Sequence, residues 1–537
     1  MTTRSAPLGA LLVSLATALT AQGPAPGFRL MGPMGGGDTH LVDTNSNIVH
    51  TWPSVFPAGT SAYLADDGSL LRAIRVGIVP GVSGGVGGGV QRLDFDGNVL
   101  WDYRYAGSGV MSHHDIARMP NGNVLLIAWE DKSAAQAIAA GRDPALIEGP
   151  LFRPDHIVEI EPRGASGGRV VWRWNAWDHL VQDFDPTQAN YGVVADHPEL
   201  IDVNYPAIAS HSWDWNHINA IDYDPLNDWI VLSAHHQNEI WIIDHSTTTA
   251  EAAGHTGGLQ GRGGDLVYRW GNPAAYDTGT PAEQMLFGQH GSIFIPDGLP
   301  GAGNLLLFNN NLPGGSEVWE LVLPYNAPGQ ISSMPGQPFG PPAPHWRFGA
   351  AGLTSAVVSN AERLPNGNTL ICSGAQGEVI EVTPSGTEVW RHSLGTIVFH
   401  AHYVERTLWS DKASISASAG GTLGFDLVAG SELASAAYLL LGSASGTEPG
   451  VLLHGNNLPL NPDSVTLITL ANAGQTPLLQ TVGSLDALGR GSGSFSMPAG
   501  VFSPGEASTM HWAHMLLDLA TGDVVGTSNA VPLLITP

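Results

Sequence analysis

Apolar and polar residues alternate along most of this chain in short runs, and turn residues break the runs at regular intervals. The stretch His211–Ser246, HSWDWNHINAIDYDPLNDWIVLSAHHQNEIWIIDHS, shows the pattern most clearly. His217–Tyr223 reads as a strand, Asp224–Asp228 as a turn, Trp229–Ala234 as a second strand and Glu239–Asp244 as a third. β-Branched, alternating segments joined by Asp/Asn/Pro turns make an antiparallel meander. The unit recurs over 61–103, 114–174, 217–270, 290–349 and 360–392. Each copy turns at a DG, NG or related pair, and most close on an aromatic-rich strand such as VVWRW. A four-stranded meander repeated at this length predicts a β-propeller. The segment 399–406, FHAHYVER, has no outer strands after it, and His40–Trp52 is expected to supply them and close the ring as a sixth blade.

The predicted fold is therefore all-β: a six-bladed propeller over 39–410, followed by a small β-sandwich over 411–537. In that last segment Ser, Ala, Gly and Leu dominate and few ionisable groups converge. Residues 22–38 read as an irregular Gly/Pro lead. Residues 1–21 carry one early arginine, an apolar run and small residues at the end, the pattern of a secretory signal peptide. The apolar run is too short to span a bilayer, so an exported protein in the periplasm or outside the cell is expected. A formal charge of −27 argues against nucleic-acid partners, because a phosphate backbone rewards a basic surface. Cys372 is the single cysteine, which rules out an intrachain disulfide, and its place in TLICSG suggests a buried small hydrophobe.

The candidate chemistry lies in the histidines. In a propeller blade the first strand lines the central channel and the second returns beside it, so the start of one and the end of the other share a mouth. His114, His217 and His290 each fall seven residues before the first Asn or Asp of their turn, at Asn121, Asp224 and Asp297. The same register in the next unit gives Ser359, beside Asn360. His235 and His236 end a second strand at that mouth, as does Asn310, and His400 and His402 begin the last inner strand. His113 is expected to face away, since strand side chains alternate. Asp115 and Asp222 could orient imidazoles. Trp177, Tyr191, Trp213, Trp215, Tyr276 and Phe287, on insertions at the mouth, could form a lid over an aromatic ligand.

The segments SHHDIARMPNGN, DWNHINAIDYDP, LSAHHQNEIWIID and FGQHGS, in this order, resemble the bacterial arylsulfotransferases (aryl-sulfate sulfotransferases). The resemblance spans roughly 40–406. It implies an exported six-bladed propeller that moves a sulfuryl group from an aryl sulfate ester to a phenol through a sulfated histidine, without a nucleotide donor. It puts His290 at the nucleophile, His114 and His217 at two assisting histidines, and Asn219 at a matching asparagine. His235 stands where the resemblance implies an arginine. Asn219, His236, Asn310, Ser359, Asn360, His400 and His402 are the expected substrate-binding residues. A neutral imidazole is a competent nucleophile toward sulfur, and no cofactor or metal is required. Two alternatives remain: a pocket of four imidazoles that holds Zn or Cu, and a secreted propeller that binds without catalysis.

Overall fold

The computed structural model describes residues 23–65, 67–77, 84–331, 336–501 and 507–537. The expected signal peptide lies outside the described residues. The chain is all-β, and six antiparallel sheets form a β-propeller. Their inner strands are Ala58–Leu64, Val110–Arg118, Ile218–Asp224, His290–Phe294, Asn360–Arg363 and Val398–Val404. Each inner strand lies against the next, and the last lies against the first, which closes the ring.

Closure corrects one reading. Phe28–Pro33, inside the lead expected to be irregular, is a strand. It pairs directly with Val398–Val404, and Thr39–Val42 and Ile48–Trp52 complete that sheet outward. Its Gly/Pro surroundings hide an apolar core, for Phe28, Leu30 and Met31 are buried. A second shift concerns Leu408–Ser410, counted with the ring, which pairs with Gly421–Val428 in the C-terminal part.

The aromatic closing strands clamp the ring. Trp52 Nε1 donates to the Asp94 carbonyl of the next sheet at 3.0 Å, and Trp101 Nε1 to Gly167 O at 2.8 Å. Trp346 and Trp390 repeat the contact at Pro384 O and Thr44 O, the latter returning to the first-formed sheet. Each indole buries a large apolar face while its one donor stays satisfied. Buried ion pairs add further ties: Arg29 with Glu381, and Arg363 with Glu320, each join neighbouring sheets. Removing one partner from such a pair leaves an uncompensated charge and costs roughly 3–5 kcal/mol.

After the ring, two sheets face each other. One contains Gly421–Val428 and Arg490–Met497, the other Ala437–Ser443, Ser508–Leu517 and Val531–Thr536. Phe425 and Leu427 of the first share a core with Leu440, Trp512 and Leu533 of the second. Trp409 ties this part to the ring through a hydrogen bond to Gly68 O at 3.1 Å. Among the described residues no helix is long and apolar enough to cross a membrane.

Candidate active site

The inner strands do not begin as regular strands. His114 and His217 adopt the left-handed region, with φ of 50° and 49°, and Gly291, after His290, has φ of 59°. The ladder to the second strand slips in all three sheets, between Leu126 and Ala128, Ile218 and Ile221, and His290 and Ile293. A bulge of this kind re-aims the side chain at its start. For a non-glycine residue the conformation costs on the order of 1 kcal/mol, so the bending of His114 and His217 is held in place by their neighbours.

The result is a contiguous arc of imidazoles. Ring centroids lie 4.4 Å apart for His114 and His217, 4.9 Å for His217 and His235, and 5.2 Å for His235 and His290. The loop before Gly88 covers the arc at one end. The His114 backbone N–H donates to the Gly85 carbonyl at 2.7 Å, and a Cβ at Gly85 would sit 2.0 Å from the His114 ring. Only glycine fits that position, where φ is 69° and the His114 ring fills the space a side chain would take.

Three polar arrangements set the protonation of the arc. At His290, Nδ1 lies 3.1 Å from Gly288 O and 2.9 Å from Asn310 Oδ1. A carbonyl oxygen only accepts, so Nδ1 carries the proton and Nε2 keeps its lone pair. Burial lowers this ring to about 4, against an opposing pull from the Asn310 hydrogen bond.

At His114, the chain runs through His113. His113 Nε2 donates to Asp155 Oδ1 at 3.0 Å, which leaves its Nδ1 to accept from His114 Nδ1 at 2.7 Å in the neutral pair. His114 Nε2 is then a lone pair as well. Burial, with the neighbouring His217 charge, holds His114 well below the usual histidine range.

At His217 the sign reverses. Burial opposes its charge, but the Asp214 carboxylate at Nδ1 outweighs this and raises the ring above its ordinary value. Asp214 is fixed from its other side by Trp129 Nε1 at 2.6 Å, and the His217 side chain is 19% exposed. His235 is held well below the usual range by burial and by His217. The arc therefore sets one ring whose charge is favoured among rings whose charge is disfavoured.

The other expected residues have definite places. His236 donates Nδ1–H to Asp214 O at 2.7 Å and stacks on His211 at 3.8 Å. Asn310 donates to Ser355 O and Val358 O while it orients His290. Asn219 donates to Gln289 O at 2.9 Å, and Asn360 exchanges two hydrogen bonds with Ala401. Asp115, Asp222 and Glu362 likewise accept backbone N–H groups of the following inner strand, at Ile221, Phe294 and Tyr403. These side chains lace inner strands that no β-ladder joins. Asp115 therefore orients no arc imidazole, and lies 4.0 Å from His400 Nδ1. Ser359 bonds Ser355 Oγ and Gly374 N. His402 pairs with Glu362, and His400 is buried with neither nitrogen bonded.

His113, Asp155 and Asp214 were missed as site residues. His113 does stack away from the mouth, on Trp129 at 4.0 Å, yet the bend at His114 brings the two Nδ1 atoms together. The acids come from other strands, and only the neighbouring WDWNH motif hinted at Asp214. Trp215 and Tyr276, expected in the lid, are core residues, whereas Tyr191 is 49% exposed. A cavity of about 770 Å³ lies at the other end of the ring, among the turns Asn121, Asp224 and Asp297, away from the arc.

Residues 73–320 match the family model described as arylsulfotransferase (ASST). Over that stretch the chain is similar to the arylsulfotransferase family. The arylsulfotransferase match contains His114, His217, His235 and His290, and ends before Ser359, Asn360, His400 and His402. No curated protein matches the chain. Solved structures with a similar course include a protein of unknown function from Bacteroides caccae, at 13% identity, with 70% of this chain and 98% of that one covered and a TM-score of 0.39. Virginiamycin B lyase from Staphylococcus aureus aligns at 10% identity over 69% of this chain and 85% of its own, with a TM-score of 0.31. Apo AztD from Citrobacter koseri aligns at 8% identity over 71% and 98%, with a TM-score of 0.31. At these values the likeness carries nothing about activity in this chain.

Proposed function

We propose that this protein is an exported aryl-sulfate sulfotransferase that works through a sulfated His290. The observation that carries the reading is the fixed tautomer of His290: Nδ1 is spent on Gly288 O and Asn310, and the neutral ring offers Nε2 as a lone pair.

In the first half-reaction Nε2 attacks the sulfur of the aryl sulfate. The N–S bond forms, the S–O bond to the aryl group breaks, and the departing phenolate takes a proton from the His217 imidazolium. The Nδ1 proton stays on the ring, and its hydrogen bonds to Gly288 O and Asn310 Oδ1 spread the charge the ring gains. In the second half-reaction neutral His217 takes the proton of an acceptor phenol, whose oxygen attacks sulfur and releases His290. Such a split replaces one difficult displacement by two easier ones. A positioned acid contributes about 10²–10⁴-fold to each. The charge of His217 also favours the sulfuryl oxygens in a site shielded from water. His114, with Nε2 free and His113 and Asp155 behind it, is the second base within reach. His235 fills a position where the family resemblance implies arginine, and as a neutral ring it supplies a donor without a fixed charge.

The test is release of 4-nitrophenol from 4-nitrophenyl sulfate in the presence of phenol. Wild type turns over, and the peptide containing His290 gains one SO₃ in mass when acceptor is omitted. His290→Ala loses roughly 10⁴-fold or more of the rate while Tm stays near wild type. Turnover retained in that variant overturns the assignment, and an inert wild type leaves a binding propeller.

A further inference from the structure

We infer that this protein carries a Zn²⁺ site outside the histidine arc, built from His179, His255 and Asp265. Their ligand atoms lie within 4.8 Å of one another, the one such group of metal-capable side chains among the described residues.

The hydrogen-bond pattern calls for a cation there. His179 Nε2 donates to Ala252 O at 2.9 Å, so that nitrogen holds the proton of the neutral ring. Its Nδ1 lone pair then faces Asp265 Oδ1 at 2.8 Å, an oxygen that only accepts. His255 Nδ1 approaches the same oxygen at 2.7 Å. Two imidazole nitrogens and a carboxylate converging on one point are satisfied either by added protons or by a metal ion. The side chain of His179 is fully buried and that of Asp265 is 7% exposed, so an added proton there is a buried charge.

The surroundings match a metal site. A ligating histidine ordinarily donates its other N–H to a carbonyl or carboxylate, as His179 does to Ala252. Trp174 stacks parallel to the His179 ring at 5.7 Å and bonds Gly264 O at 2.7 Å, which fixes the ring and the adjoining loop. Two imidazoles and one carboxylate suit Zn²⁺, with water in a fourth, open position. His255, 59% exposed, leaves that position accessible and also borders a cleft of about 520 Å³ with Trp177 and Tyr191. Accepting the ion requires each N–O pair to open by about half an ångström, to the spacing of tetrahedral ligands at ~2.0–2.1 Å. The ion would staple the segment after Thr248 to the segment after the closing strand of the preceding sheet.

The site is tested on the full chain, stripped with chelator, loaded with ZnCl₂, desalted and assayed for bound metal, with a cobalt spectrum to report coordination. About one equivalent is expected in wild type and in His290→Ala, and almost none in His255→Ala or Asp265→Ala. His255 is exposed, so its alanine variant keeps the fold, checked by Tm without metal. No metal in wild type, full retention in His255→Ala, or loss in His290→Ala each overturns the proposal.

Discussion

The histidine end of the ring and the paired C-terminal sheets both bury imidazoles, but they treat them differently. In the C-terminal sheets His514 is fully buried with neither nitrogen bonded, and burial alone lowers it to about 3. At the ring mouth every arc histidine except His235 has its Nδ1 assigned to a partner: Gly288 and Asn310 for His290, His113 for His114, Asp214 for His217. Burial makes a histidine neutral, and a carboxylate at one nitrogen makes it a cation. Neither alone yields a nucleophile beside an acid. The ring also buries Arg29, Arg269 and Arg363 against glutamates, whereas the C-terminal sheets bury no arginine, lysine or carboxylate among the described residues. The ring thus buries ion pairs that tie its strands as well as the imidazoles at its mouth.

The sharpest way to break this contrast is to take the acid from His217. Asp214→Asn keeps the shape and the Trp129 contact but removes the charge that raises His217. Turnover is expected to fall about 10²–10³-fold. Wild-type rate, limited by the protonated form, declines as pH rises through the pKa of His217. In the variant that decline begins at lower pH. Aryl sulfates with poor leaving groups suffer more than 4-nitrophenyl sulfate, whose phenolate needs little help. An unchanged alkaline limb would show that His217 is not the acid.

A smaller effect sharpens the comparison from the opposite side. His235→Arg replaces a neutral ring by a group that is charged at every working pH and offers a planar fork to sulfuryl oxygens. The kcat/KM for simple aryl sulfates is expected to rise several-fold to roughly tenfold. Lost activity would mean that this position tolerates only an uncharged ring, because His217 lies 4.9 Å away.

Much of the ring was legible because it is written locally. Turn pairs, alternation and closing tryptophans each lie within one meander, and the seven-residue interval from turn to histidine follows from strand length. The strand Phe28–Pro33 was not, since glycine and proline on both sides mask its apolar residues. In the site, His114, His217 and His290 were expected from register, and His235 from its place at the end of a second strand. Their supports were not, because Asp155 lies 42 residues from His113, and His113 reaches its neighbour only through a left-handed residue that breaks alternation. The roles of Asn219 and Asn360 were equally hidden: a pattern gives their position on an inner strand, but only packing reveals that their amide N–H groups donate to the backbone of the neighbouring sheet.

The least effect comes from His514, and it isolates burial from function. Its folded value of about 3 lies below the ordinary 6.5, so the unfolded chain binds a proton that the fold refuses. Stability from this residue is intact above pH 6.5 and is lost as pH falls from there toward 3. His514→Leu removes two unpartnered polar atoms from the core and that pH dependence together. Urea unfolding should show the variant more stable by about 1 kcal/mol at neutral pH. The advantage should grow by a further ~2 kcal/mol near pH 5, with turnover unchanged. An advantage that shrinks on acidification would mean that His514 gains a partner on protonation, and the contrast between the two regions would have to be redrawn around that partner rather than around burial.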